Sequence, residues 1–409
     1  MNITELEKIA KQIKKYQLED EIRDIENWLR NLNEKQIKNF VNISIEPHQL
    51  RGILKSKSLL INEAALNGDY YLEDIKFVND AKSVGILVCL SFVAQDIDSL
   101  KSEYHREDMK MIANAKRYKI AWHLNLVAQD INSLESEYHR EDMKMIANAK
   151  SDRIAQYLKD VVMDKNSLES EYHREDMKLI ANAKSDVIAS DLSDVARSKD
   201  SLESKYHEED MRLIADAKKN GTAHSLRNVA SSKDSLESEY HREDMRPIAD
   251  AKTDEIAYSL RDVACSKDSL ESEYHREDMK QIANAKTDEI AACLSKVASS
   301  KDSLESEYHR EDMKLITNAK SDEIARYLGN VSMDVDLLKR EYHREYMKLI
   351  ANGKSIKDAE KIYDRIIKEK YRIFSMTFQE KIDAIHQNAV EYTDGDTNKE
   401  LDDSVFTLK

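Results

Sequence analysis

The residues best equipped for chemistry are eight histidines, His105, His139, His173, His207, His241, His275, His309 and His343, separated by a constant 34 positions. All but the last are followed three residues later by an aspartate, from Asp108 to Asp312. On one face of a helix such a His-x-x-Asp pair could offer two metal ligands or a short proton relay. Catalysis needs one dissymmetric site, and the chain offers equal copies instead, so the ladder is expected to be a polar network between repeats. No metal and no cofactor are expected. The sequence also lacks the GxSxG, Walker-type GKT, HExxH and kinase signatures. These absences point away from an enzyme. Cys89, Cys265 and Cys293 show no CxxC spacing, which suggests neither a disulfide framework nor a zinc site and fits a reducing compartment.

The histidines belong to a longer motif, Glu-Tyr-His-Arg-Glu-Asp-Met, whose tyrosines fall at Tyr104, Tyr138, Tyr172, Tyr206, Tyr240, Tyr274, Tyr308 and Tyr342. A fixed step of this kind is the signature of a repeat architecture. One step earlier, Tyr70, Asp74, Ala81 and Lys82 keep the register, so a worn copy precedes the clear ones. Within the unit Ser235 to Asp268, Asp234-Ser235-Leu236-Glu237 has the form of a capping box, and Thr253-Asp254-Glu255 supplies a second N-cap followed by acids. Two helices per repeat are expected from these signals. Ile256, Leu260 and Val263 give the second helix one apolar stripe. The first helix has apolar residues on two sides, and Pro247 favours a kink or restart near Glu243-Asp244, which would leave the proline in a first turn.

Only seven Gly and two Pro occur in 409 residues, and charged residues make up 35%, a composition that leaves few helix breakers. The expected fold is all-α, a right-handed superhelical α-solenoid of tandem helix-turn-helix repeats with helical caps. Residues 1–64 read as an N-terminal helical cap, with Leu6, Ile9 and Ile13 on one stripe and Ile25, Trp28 and Leu29 on another. Residues 65–98 form the degenerate repeat, 99–336 seven tandem repeats, and 337–392 a partial repeat and C-terminal cap. The acidic, polar tail 393–409 is expected to be disordered. The leading segment has no apolar signal-peptide core, and no stretch approaches a membrane span. A soluble, cytoplasmic protein is expected.

The 34-residue unit resembles two known classes, the tetratricopeptide repeats and the TAL-effector-like repeats. The likeness to the second lies in a short apolar helix ending Ile-Ala, as in Ile248-Ala249, then a turn and a longer helix within nearly identical copies. Where that class has a Gly-Gly turn this chain has Lys-Ser-Asp or Lys-Thr-Asp. The resemblance implies an α-solenoid, and through the TAL-effector-like class it implies one alternative function, modular nucleic-acid reading with one repeat per base.

Differences between copies cluster on the second helix, at Trp122-His123, Gln156-Tyr157, Ser190-Asp191, His224-Ser225, Tyr258-Ser259, Ala292-Cys293 and Arg326-Tyr327. A constant scaffold with one variable ridge is how helical repeats build extended binding surfaces. The expected function is therefore a non-catalytic scaffold that binds a protein or peptide through Trp122, His123, Gln156, Tyr157, Ser190, Asp191, His224, Ser225, Tyr258, Ser259, Arg326 and Tyr327. Drift of solvent positions after duplication is the bland alternative. The net charge of -15 opposes a phosphate-rich partner, because such binding needs clustered Lys and Arg. A self-assembling structural role is the remaining alternative. Tyr104 and Leu100 with their equivalents are expected to be core ladders, and Glu103, Arg106, Glu107, Asp108 and Lys110 a solvated charge lattice.

Overall fold

A computed structural model describes residues 70–339 and 343–354, with scattered positions between 358 and 368. The expected N-terminal cap 1–64, residues 65–69, the acidic tail and nearly all of the C-terminal cap lie outside these residues. Every regular element among the described residues is a helix. The chain divides into two compact units, Met1–Ser299 and Ser300–Lys409.

In the first unit each repeat contains three helices, where the sequence suggests two. The repeat around Pro247 comprises a short connector helix Lys233–Glu237, a His helix His241–Ala249 and a ridge helix Asp254–Ala264. The connector stops because Ser238 turns extended, at φ -78° and ψ 145°, and its hydroxyl accepts from the Tyr240 N–H at 3.1 Å. Helical hydrogen bonding then restarts, with the Tyr240 carbonyl accepting from the Asp244 N–H at 2.9 Å. The break thus falls just before His241, earlier than Glu243-Asp244. In consequence Pro247 lies inside the His helix and not in its first turn, where its missing N–H and its ring both cost helix stability.

The N-cap of the connector is Ser232, whose hydroxyl accepts from the Ser235 N–H. Asp234, the expected cap, sits in the first turn instead, where the helix dipole favours it. Three connectors nearer the start of the array carry Asp96, Asp130 and Asp164 at the cap position. The ridge caps are as the sequence suggests. Thr253 accepts from the Ile256 N–H at 3.1 Å and Ser151 from the Ile154 N–H at 3.0 Å.

Packing follows from these starts. Met245 and Ile248 from the His helix meet Ile256, Ala257, Leu260 and Val263 from the ridge helix, all buried. Burying aliphatic side chains of this size contributes about 2 kcal/mol each, yet helices of four to eleven residues are marginal alone in water. Stacking supplies the remainder. Each ridge helix packs against the next, from Val84–Val93 through Tyr118–Val127, Asp152–Val162, Asp186–Ala196, Asn220–Ala230 and Asp254–Ala264 to Asp288–Ala298. The His helices and the connectors pack in the same serial way. The first unit is therefore a helical solenoid of three files.

The leucine and tyrosine columns are not its core. Leu100, Leu134 and Tyr104 are half-buried, and the connector residue that is fully buried is serine, as at Ser99 and Ser133.

The second unit repeats the pattern with Lys301–Leu304, His309–Thr317, Asp322–Ser332, Val335–Leu338 and His343–Ala351. The helix His343–Ala351 is closed at Gly353, whose φ of +89° suits glycine at this position. Its N–H donates to the Ile350 carbonyl and that of Lys354 to the Leu349 carbonyl, closing a Schellman motif.

Candidate interaction surface and the buried histidine joints

The histidine ladder is built across repeats, not along one helix. His139 Nε2 donates to Asp108 Oδ2 at 2.9 Å, and Asp108 lies in the preceding repeat. The sequence pairs His139 with Asp142; the structure instead gives Asp142 to His173, again at 2.9 Å. A helix start explains this, since His139 opens its helix and its ring projects back over the neighbouring turn. With Nε2 donating, Nδ1 accepts the Ser133 hydroxyl proton at 2.9 Å. Tyr104 packs on the same imidazole with ring centroids 4.8 Å apart. The same joint recurs at His105, His173, His207, His241 and His275, each with an aspartate, a serine and a tyrosine.

These groups are sealed. His139 and Ser133 are fully buried and Asp108 nearly so, which makes Asp108 part of the joint and not of a solvated lattice. Burial pushes the carboxyls of Asp74, Asp108, Asp142, Asp176, Asp210 and Asp244 above the usual range, against the opposing pull of their histidines. In Asp108 and Asp142 the second oxygen, Oδ1, has no partner, which adds to the cost of the charged form. Ser, His and Asp meet here with no opening through which a substrate could reach the hydroxyl. In the second unit His343 bonds Asp312, but Leu337 stands at the serine position and His343 Nδ1 has no partner.

Outside the joints, except at His207 where Glu208 replaces the arginine, runs the surface lattice that the sequence suggests. Arg106 pairs with Glu73 at 2.7 Å, Arg140 with Glu107 at 2.8 Å and Arg276 with Glu243 at 2.7 Å, all in solvent. Each such pair contributes at most about 1 kcal/mol.

On the ridge the two members of each variable pair part company. Trp122, Gln156 and Arg326 are exposed, and Ser190, His224 and Tyr258 half-buried. Asp191, Ser225, Ser259 and Cys293 are buried between helices, while His123, Tyr157 and Tyr327 are half-buried. The second member precedes the buried leucine of the stripe by one residue, and the helical step turns it inward. Ser225 and Ser259 then bond their own helix, donating to the Gly221 and Glu255 carbonyls at 3.0 and 2.9 Å. Asp191 receives His224 Nδ1 at 3.3 Å and lies 3.6 Å from Arg227, so this part of the ridge is tied from helix to helix. Tyr258 lies beneath the Arg261 guanidinium, 5.3 Å from the ring centroid, and the Tyr327 hydroxyl donates to Glu323.

Beside Trp122 the ridge exposes apolar residues that the copy-to-copy comparison passes over, as the connectors do at Ile97 and Ile131. Val84 is 78% exposed, Tyr118 48%, Phe92 46% and Trp122 36%. Phe92 meets Trp122 edge-on with centroids 6.5 Å apart, and Tyr118 lies 6.4 Å from the same indole. The available signal was the helix Val84–Val93, whose single polar side chain is Ser91; a helix apolar all round is buried or meets a partner.

No group of three or more metal-ligating side chains occurs among the described residues. None of their helices is long and apolar enough to cross a membrane. The fold and its joints define an α-helical tandem-repeat protein. No protein-family model matches the chain, and no curated protein matches it in sequence.

Proposed function

We propose that the protein is a non-catalytic scaffold that binds a protein or peptide partner along the ridge. The observation that carries this is the aromatic cluster of Phe92, Tyr118 and Trp122, exposed on a frame whose joints repeat almost unchanged. Aromatic side chains of this kind dominate protein interfaces. Tyr157 and Tyr258 lie on later ridge helices of the same unit, and Tyr327 on the ridge helix of the second unit. Asp152, Asp160, Asp186, Asp194, Asp254 and Asp262 on the ridge helices favour a protein over a nucleic acid, whose phosphates they would repel. The Cys89 and Cys265 thiols, pushed up to about 11 by burial, are poor nucleophiles and compatible with the cytoplasm.

Changing Trp122, Tyr157, Tyr258 and Tyr327 together to alanine is expected to leave helicity intact and abolish partner capture from native lysate. Undiminished capture by that variant would refute the proposal. Binding of nucleic acid that weakens steeply with salt would favour the modular nucleic-acid alternative, and concentration-dependent light scattering the self-assembling one.

A further inference from the structure

The ridge changes character along the first unit. Its outer column reads Val84, Val88, Phe92 in the first ridge helix and Tyr118, Trp122, Leu126 in the second. From the third onward the ends of that column are polar: Asp152 and Asp160, Asp186 and Asp194, Asn220 and Asn228, Asp254 and Asp262. The apolar part is held in place, because a Cβ on Gly85 would come within 2.4 Å of the Tyr118 ring; glycine at residue 85 allows that close approach. Charge changes with it. Residues 81–94 and 115–128 contain no Asp or Glu, but hold Lys82, Lys116, Arg117 and Lys119. The three lysines are exposed, while Arg117 is engaged by Asp152 at 3.2 Å. In a chain of net charge -15, this is a cationic rim at the N-terminal end of an apolar floor, with Asp96 and Asp130 beyond its other end.

We propose that these two helices seat an acidic amphipathic helix of a partner protein. The inference rests on the ridge being the interaction surface and adds the chemistry of what binds there. Val84 to Phe92 spans eight residues, about 12 Å along a helix, enough for apolar anchors spaced i, i+3, i+4 and i+7 on a docked helix. Those anchors cover Phe92, Tyr118 and Trp122, and carboxylates on the flanks of the incoming helix reach Lys82, Lys116 and Lys119. A basic helix would meet like charge at the same rim.

The test uses the full chain and labelled 18-residue peptides followed by fluorescence anisotropy. One peptide carries leucines at the anchor spacing with glutamates elsewhere, one has lysines in place of the glutamates, and one is a shuffled acidic control. The acidic amphipathic peptide is expected to bind at least tenfold tighter than either other. Phe92→Ser with Trp122→Ser should weaken it at least tenfold, and Lys82→Glu with Lys116→Glu and Lys119→Glu should reverse the preference. If the lysine peptide binds as well or better and is lost in the Phe92/Trp122 variant, the surface stands and the acidic partner is refuted. If all peptides bind the variant as they bind the parent, or none binds the parent, both this inference and the ridge as docking surface fail. Binding gained only when Ile25, Trp28 and Leu29 are changed to serine assigns the patch to this chain's own leading segment and overturns a separate partner.

Discussion

The joints and the ridge obey opposite rules. At a joint His207 is enclosed by Asp176, Ser201 and Tyr172, and the same four residue types recur in repeat after repeat because each one satisfies or shields another. On the ridge one position holds Trp122, Gln156, Ser190, His224, Tyr258 and Ala292 in turn. The fold tolerates that series because the side chain reaches solvent. The conspicuous, polar, repeated motif is sealed away, and the accessible chemistry lies in residues that do not repeat.

The comparison is broken most severely from inside a joint. Asp176→Ala leaves the His207 Nε2–H buried without an acceptor, and an unsatisfied buried donor costs about 1–3 kcal/mol. Urea unfolding of the full chain measures this loss, and a cost below about 1 kcal/mol would show that the joints do not hold the array. Pro247→Leu is expected to act in the opposite direction. Leucine occupies the equivalent position at Leu179 and Leu213, and restoring the N–H inside the His helix should stabilise by up to about 3 kcal/mol. A thermal melt no higher than that of the parent would place the proline outside helical structure.

A finer effect comes from pH. Burial raises the Asp176 carboxyl above its ordinary 3.8, although His207 and His173 lower it, and Glu175 adds slightly to the rise. The folded state therefore holds that proton more tightly than the unfolded chain. Stability from this group is fully present below the unfolded value and is lost as pH rises through the folded one. Asp176→Asn keeps an oxygen for His207 and has no proton to lose, so over the pH range above the ordinary carboxyl value it should gain on the parent. A difference independent of pH, or one that shrinks in that window, contradicts the burial argument.

Much of this was legible in the residues. The 34-residue step gave the repeat, Thr253 and Ser151 gave the ridge caps, and Ile256, Leu260 and Val263 gave the buried stripe. The third helix was hidden because its start depends on Tyr240 serving as an N-cap without a side-chain bond, which leaves no polar cap to recognise. The partner of each histidine was hidden because Asp108 and Asp142 are equivalent in sequence, and only stacking decides which is within reach of His139. Three residues read as ridge positions, Asp191, Ser225 and Ser259, lie buried between helices. Spacing alone does not distinguish an outward residue from one turned against the next helix, as Ser225 and Ser259 are.

The central claim, that joints hold the molecule while the ridge binds, is tested most directly by measuring thermal unfolding and partner capture on the same sample of the Trp122, Tyr157, Tyr258 and Tyr327 alanine variant. The expected result is a melt within a few degrees of the parent and no captured partner. A variant that unfolds early, or that melts like the parent and still captures the same partner, would contradict it.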